Sequence, residues 1–311
     1  MAAAAGLPGG SLEALRREAL DPFGTGIGIC NPLFGAPALH NADLAAALCR
    51  AANDWMVTNW LEPEPRLRAG ILVPVENPEL AVEEIERRAS DPRFVQVLLF
   101  GAAETLYGRR VNWPIYAAAE RHGLPIALHT GSAARNAPTA LGWPTYLIED
   151  HVAFAQTFQS QLLSLIGEGS SRNSPAEGGA AGKRLRLGAE FPLARRQDVA
   201  GDAEGDSWVD RSPAEIFREC VRISIQPADA PTDAEGMEAL LEMIGCDDLL
   251  LFATDYPHAR FEGTAALPPA LPARLHARVL RENALATYPR LSSPDARGAA
   301  APEALKRPAS I

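Results

Sequence analysis

The segment DLLLFATDYPH, residues 248–258, runs from an apolar stretch directly into a threonine and an aspartate. A continuous apolar run bounded by turn residues predicts a strand buried on both faces, as in a parallel sheet. Ionised carboxylates rarely stay buried without a partner or a metal. We therefore expect Asp255 to lie where this strand leaves the sheet, and in a barrel that edge carries the active site.

Similar apolar runs alternate with helical patterns along the chain. Counting the opening segment, the candidate strands lie near residues 27, 72, 97, 127, 187, 224 and 251. This alternation predicts right-handed βαβ units and a parallel sheet. We predict an α/β fold of the (β/α)8 TIM-barrel type, with a lacking or truncated first strand and a disrupted sixth βα unit. A doubly wound sheet is the alternative, but no Gly-x-Gly-x-x-Gly opens a helix.

Helix signals are frequent between these strands. Asn77-Pro78 and the capping boxes that begin at Ser212 and Thr232 predict helix starts, and Gly123 and Gly245 predict helix ends. A further helix is predicted over residues 43–60. Its predicted core-facing side consists of Leu44, Ala47, Leu48, Ala51 and Trp55.

Composition predicts where the domain begins and ends. Residues 1–20 are expected to be a loose N-terminal segment, and residues 21–290 to form the barrel domain. Within it, residues 167–211 are rich in Gly, Ser and charged residues and are expected to be irregular and partly disordered. Residues 291–311 are expected to be a disordered tail.

Charge and cysteine content narrow the class of protein. The 311 residues carry a formal net charge of −10, which argues against nucleic acid and anionic membranes as main partners. The four cysteines form no Cys-x-x-Cys pair, which favours reduced thiols in a cytoplasmic protein. No window approaches the roughly 20 apolar residues of a membrane span. The predicted partner is a small-molecule substrate, and a homo-oligomer is compatible with the sequence.

Two predicted strand ends carry chemically useful side chains. His129 follows an apolar strand, and Asp255 follows another. Imidazole and carboxylate at neighbouring strand ends are typical donors for Zn²⁺ or Mn²⁺, and Asp255 could also orient water or accept its proton. His258, three residues after Asp255, could be a proton shuttle. A structural histidine at 129, a turn cap at 255 and a loop histidine at 258 remain open alternatives.

Several segments, taken in order, resemble the amidohydrolase-related family. This is the branch of metal-dependent (β/α)8 barrels that includes aminocarboxymuconate-semialdehyde decarboxylase. The resembling segments are residues 52–55 (ANDW), 91–97 (DPRFVQV), 113–116 (WPIY) with 118–120 (AAE), 129–131 (HTG), 158–162 (FQSQL), 252–258 (FATDYPH) and 282–284 (ENA). The resemblance implies a metal-assisted hydrolase or a non-oxidative decarboxylase. His129 then matches the family's fifth-strand metal ligand, and Asp255 its eighth-strand aspartate.

The chain also departs from the family pattern. No His-x-His pair is present, and residues 167–211, where a sixth-strand histidine is expected, contain no histidine. Glu190 is the one replacement donor that we weigh there. Two hypotheses follow: a metal-dependent enzyme acting on a small carboxylate, amide or ester, and a catalytically degenerate barrel that serves as a binding or scaffold protein. A start codon placed too far downstream would be a third explanation for the missing pair.

Overall fold

The strands form two parallel sheets. The computed structural model describes residues 10–129, 136–139, 141–169, 212–226, 230–257 and 267–291. Its strands are β1 (Gly28–Cys30), β2 (Leu67–Leu72), β3 (Phe94–Phe100), β4 (Ile126–His129), β5 (Ile223–Ser224) and β6 (Leu250–Leu251). The first four form one sheet in the order β1-β2-β3-β4, and β5 pairs with β6. Six of the seven predicted strands are thereby confirmed; the one near residue 187 lies outside the described residues.

Helices connect the strands, as the alternation predicts. They are α1 (Leu12–Leu15), α2 (Ala42–Met56), α3 (Pro78–Arg88), α4 (Trp113–Arg121), α5 (Leu147–Gly167), α6 (Pro213–Cys220), α7 (Ala234–Ile244), α8 (Ala273–Ala277) and α9 (Asn283–Thr287). Wider π-helical turns extend α1 through Arg16–Leu20, α2 through Val57–Leu61 and α8 through Arg278–Glu282. The Asn77 cap, the Ser212 capping box and the left-handed Gly245 that ends α7 are all present. None of the described helices is both long and apolar enough to cross a membrane.

The larger sheet has an outer and an inner face. The outer face packs on α3 and α4 in one cluster that includes Ile71, Val97, Leu128, Ile85 and Ile115. The inner face forms a separate cluster: Leu72, Leu98, Phe100 and Ala127 with Ala36 and Cys49. Near the carboxyl ends of β2, β3 and β4, successive residues therefore serve opposite layers, as in the wall of a barrel.

The C-terminal part of the chain links the two sheets. Leu251 of β6 shares a buried cluster with Val95 of β3 and Tyr288, and Ile29 of β1 packs against it. Arg290 donates hydrogen bonds to the carbonyl oxygens of residues 89, 91, 94 and 122, below the larger sheet. Together these contacts bring β6 to the β1 side of the sheet. The arrangement is a partial (β/α)8 barrel, so the predicted fold class is confirmed.

Helix α2 buries a different face from the one that its apolar spacing predicts. Leu44 is 50% exposed and Trp55 37%, whereas Asn53 is fully buried. The Asn53 side chain accepts a hydrogen bond from the Leu72 amide (3.0 Å) and donates one to the Leu72 carbonyl (2.9 Å). Strand β1 pairs with β2 only as far as Ala69, so Leu72 has no strand partner on that side. Asn53 is buried beside the apolar Cys49 and Met56, so the hydrogen-bonding demand of this strand edge acts together with hydrophobic burial in selecting this face.

The first 20 residues are not loose throughout. Helix α1 begins behind the Ser11 cap, and Leu15, Ala19 and Leu20 are buried in the outer cluster. The prediction of a loose segment through residue 20 is therefore wrong from residue 11 onward. Burial of these apolar side chains against the barrel wall outweighs the Ala/Gly-rich composition that precedes them.

Glu64 anchors this N-terminal helix to the start of β2. Its carboxylate accepts hydrogen bonds from Arg16 (2.7 Å) and Arg66 (2.8 Å). The Arg66 hydrogen bond, opposed by burial and assisted by Arg16, lowers the pKa of Glu64 from 4.5 to about 2. The ionised form is thus favoured in the folded protein.

We predict that Asn53→Leu lowers the free energy of unfolding by about 2–4 kcal/mol, because it leaves both backbone groups of Leu72 buried without partners. Urea denaturation measures this loss. Asn59→Ala is the control, since Asn59 is an exposed helical asparagine that donates to the Trp55 carbonyl. Equal stability of Asn53→Leu and the wild type would contradict the role of Asn53 at the strand edge.

Glu64→Gln is predicted to make the free energy of unfolding depend less on pH in the acid range. A carboxyl with a lowered folded-state pKa contributes stability above about pH 4.5, and that contribution is lost as the pH falls toward 2. The variant should be less stable than the wild type at pH 7 by roughly 1–3 kcal/mol. Urea titrations across pH 2–7 should show this difference shrinking in acid. If the difference in stability between the variant and the wild type stayed constant across this pH range, the ion pairs of Glu64 would be excluded as its cause.

Candidate active site

His129 is the last residue of β4 and lies half-buried at the carboxyl end of the larger sheet. It stands opposite Phe100 in the parallel register. Its carbonyl oxygen accepts a 2.7 Å hydrogen bond from the Gly101 amide. Strand pairing therefore continues to the end of β4 and fixes the backbone of His129 at the strand terminus.

Asp255 follows β6 and has a left-handed backbone, with φ of 53°. Among non-glycine residues aspartate tolerates this conformation comparatively well, but it persists only where the surroundings impose it. The next residue supplies part of that constraint. The Tyr256 hydroxyl donates to the Glu18 carboxylate (2.9 Å), and its ring packs on the cluster that buries Leu15 and Leu20. These contacts of Tyr256 join the turn at Asp255 to the N-terminal helix.

The loop after β3 is held by helix α5. Gln161 is buried, accepts a hydrogen bond from the Tyr107 amide (2.9 Å) and donates one to the Gly101 carbonyl (3.0 Å). The Gly108 amide donates to the Ser164 hydroxyl (3.0 Å). A Cβ on Gly108 would lie 2.0 Å from the Ser164 carbonyl oxygen, so only glycine allows this close approach. Burial raises the pKa of Tyr107, which therefore remains a neutral donor to the Phe100 carbonyl.

Two amides meet below the strand ends. Gln96 of β3 is buried, and its Nε2 donates to Oδ1 of Asn31 (2.7 Å), the residue that follows β1. Gly70 of β2 lies between them, with space too tight for a side chain: a Cβ there would stand 3.1–3.3 Å from Leu98, Asn31 and Gln96. Sequence reasoning missed this pair. The available signal was a glutamine inside the otherwise apolar strand Phe94–Phe100.

A cavity of about 230 Å³ opens among the loops that follow β1, β2 and β3. Its lining consists of Pro37, Leu39, His40, Ala42, Ala45, Pro74, Glu76, Asn77 and Glu104. Neither His129 nor Asp255 belongs to this lining. The cavity and the two predicted site residues therefore occupy different parts of the strand-end surface.

The described residues supply few metal donors. Among them, no group of three or more His, Cys, Asp or Glu side chains is arranged to hold a metal ion. Cys30 ends β1, but burial raises the pKa of its thiol to about 12, so it carries no thiolate near neutral pH. His258 and Glu190 lie outside the described residues. His129 and Asp255 alone fall short of the three protein donors that a catalytic zinc site normally has.

The sequence model of a family described as amidohydrolase matches residues 2–290 of the chain. The chain belongs to this amidohydrolase family. The resemblance drawn from the ordered sequence segments is thereby confirmed.

Several of the proteins to which the chain is similar are decarboxylases. The gamma-resorcylate decarboxylase of Polaromonas sp. strain JS666 is 25% identical over 146 residues, which are 45% of this chain and 45% of that protein. The chain thus spans less than half the length of this curated relative. A crystal structure of 2,6-dihydroxybenzoate decarboxylase from Rhizobium matches with a TM-score of 0.71 at 20% identity, covering 89% of this chain and 88% of that one.

A third relative was crystallised with a metal. The dihydroxybenzoic acid decarboxylase of Polaromonas sp. JS666, with bound manganese and the inhibitor 2-nitroresorcinol, matches with a TM-score of 0.65 at 18% identity. The match covers 84% of this chain and 81% of that one. At these identities the solved structures establish a shared fold.

We predict that Gly108→Ala destabilises the protein by about 1–3 kcal/mol, because the added methyl group forces α5 away from the loop after β3. Thermal and urea unfolding test this effect. The matched control is Gly167→Ala at the end of α5, where a Cβ meets no atom within 4 Å and stability should hold or rise slightly. Equal behaviour of the two variants would show that the close approach at Gly108 is dispensable.

Proposed function

We propose that this protein is a metal-dependent enzyme that hydrolyses or decarboxylates a small carboxylate-, amide- or ester-bearing substrate. The observation that carries the proposal is the placement of two side chains of the expected types in an amidohydrolase-family barrel. His129 ends β4, and Asp255 occupies a constrained left-handed turn after β6. The carboxyl ends of barrel strands are where such folds conduct their chemistry. Decarboxylases of hydroxybenzoates among the relatives favour an aromatic carboxylate as the substrate class.

His129 and Asp255 would hold a divalent ion, Zn²⁺ or Mn²⁺, together with at least one donor from outside the described residues. Manganese in a structural relative supports the choice of a divalent ion. Bound there, the ion would act as a Lewis acid toward a substrate oxygen or water. Asp255 would accept a proton, and His258 would relay it to solvent. Because the described donors number only two, we assign no catalytic step to the ion.

A second candidate is a catalytically degenerate barrel that binds a ligand or a partner. Two observations favour it. The described residues contain no group of three metal donors, and the inner face of the larger sheet carries an apolar cluster in which Ala36 meets Leu72, Leu98 and Phe100. In either case a small molecule is the proposed partner. A cytoplasmic location, a homo-oligomer and the absence of nucleic-acid or membrane binding remain predictions from composition.

Metal binding and turnover separate the two candidates. We predict that the wild type, dialysed against Mn²⁺, retains a stoichiometric ion and releases CO₂ from 2,6-dihydroxybenzoate. His129→Gln and Asp255→Asn should each lower the bound metal and reduce turnover by at least about 100-fold, because each removes a donor or base. Plasma mass spectrometry and chromatography of the products provide the measurements.

The control is Asp43→Asn, which makes the same chemical change on the exposed first turn of α2. Wild-type protein that retains no ion and turns over no substrate would overturn the enzymatic proposal in favour of the degenerate barrel. Full metal binding in Asp255→Asn would remove Asp255 from the site.

A further inference from the structure

We propose that the Nδ2 amide group of Asn31 binds an oxygen of the substrate's carboxylate; this inference rests on the proposed function. Asn31 directly follows Cys30, the last residue of β1, at the carboxyl end of the sheet. It is only half-buried, so a ligand above the strand ends can reach it.

Gln96 orients the Asn31 side chain. The buried Nε2 group donates to Asn31 Oδ1 at 2.7 Å, which engages the carbonyl side of the Asn31 amide. Gly70 makes this contact possible, because a side chain at that position would crowd both amides. Because the oxygen of the Asn31 amide accepts from Gln96, its NH₂ group is left for an acceptor other than Gln96.

The NH₂ group of Asn31 can donate hydrogen bonds to a ligand. Among the described residues, the one side-chain hydrogen bond of Asn31 is the one that its Oδ1 accepts from Gln96, and its Nδ2 donates to no protein acceptor. Two N–H donors on one planar group suit a carboxylate, which offers acceptor oxygens only. A neutral donor binds such an anion without adding a counter-charge inside the barrel.

Strand β1 also lies on the side of the barrel to which β6 is brought. Ile29, two residues before Asn31, packs on the cluster that contains Leu251 of β6. Gln96 shares the inner face of β3 with Leu98, so Asn31, which contacts Gln96, lies on that face as well. The chain that leaves β6 leads to Asp255 four residues later. The Asn31 donors and the Asp255 turn thus serve the same end of the barrel.

The test measures affinity for 2,6-dihydroxybenzoate by calorimetry on the full-length protein. Asn31→Asp keeps the shape of the side chain but replaces the donors with a carboxylate. We expect it to weaken binding by at least about tenfold through lost hydrogen bonds and charge repulsion. Resorcinol, the same ring without the carboxylate, should bind both proteins within about twofold of each other. Asn59→Asp, which adds the same charge at an exposed helical position, should match the wild type.

Each outcome is decisive. Unchanged or tighter binding of 2,6-dihydroxybenzoate by Asn31→Asp, with a wild type that binds, overturns this inference and leaves the proposed function intact. An equal loss for resorcinol also overturns it, since the effect would not depend on the carboxylate. A wild type that binds neither compound overturns the proposed function and this inference together. Should Asn31→Asp fail to fold, the neutral Asn31→Ala replaces it, with the same carboxylate-dependent loss expected.

Discussion

The two hydrogen bonds between the Asn53 side chain and the backbone of Leu72 determine how this barrel wall is built. Strand β1 is too short to pair with all of β2, and a buried strand edge without partners is costly. A helical amide takes the place of the absent strand residues. Helix α2 is therefore held against the sheet edge by a polar residue, and Leu44 and Trp55 remain exposed. The loop that carries Asn31 and lines the cavity runs from β1 to α2. The contact between Asn53 and Leu72 therefore helps to position the elements at both of its ends.

Side-chain amides also join helices to strands or loops at two further places. Asn283 of α9 donates to the carbonyl oxygens of Asp247 and Leu250 beside β6, and Gln161 of α5 ties down the loop after β3. These two amides, like Asn53, lie in segments by which the chain resembles its family. Their physical role is to join helix to strand or loop. Much of the resemblance therefore specifies the barrel framework, whereas the segments that contain Gln96, His129 and Asp255 carry residues of the proposed site.

The strand-end surface combines a constrained carboxylate with neutral amide donors. Asp255 is held in a left-handed turn through Tyr256 and Glu18, so the N-terminal helix supports the turn that carries the proposed metal ligand. Asn31, which follows β1 rather than β6, contributes hydrogen-bond donors, and its contact with Gln96 sets their orientation. Binding of a small anion by such groups needs no net positive charge, which is consistent with a strongly acidic chain.

Sequence by itself determined the order of strands and helices, the caps at Asn77 and Ser212, and the positions of His129 and Asp255 after two strands, whereas the cap of α7 is Asp233 and not the predicted Thr232. Such features depend on local periodicity, backbone geometry and turn chemistry, all of which are written in neighbouring residues. Tertiary structure decided which face of α2 is buried, that α1 packs on the barrel, and that Asn31 meets Gln96 across Gly70. These outcomes depend on hydrogen-bonding and packing demands between residues far apart in the chain, and no local pattern encodes them.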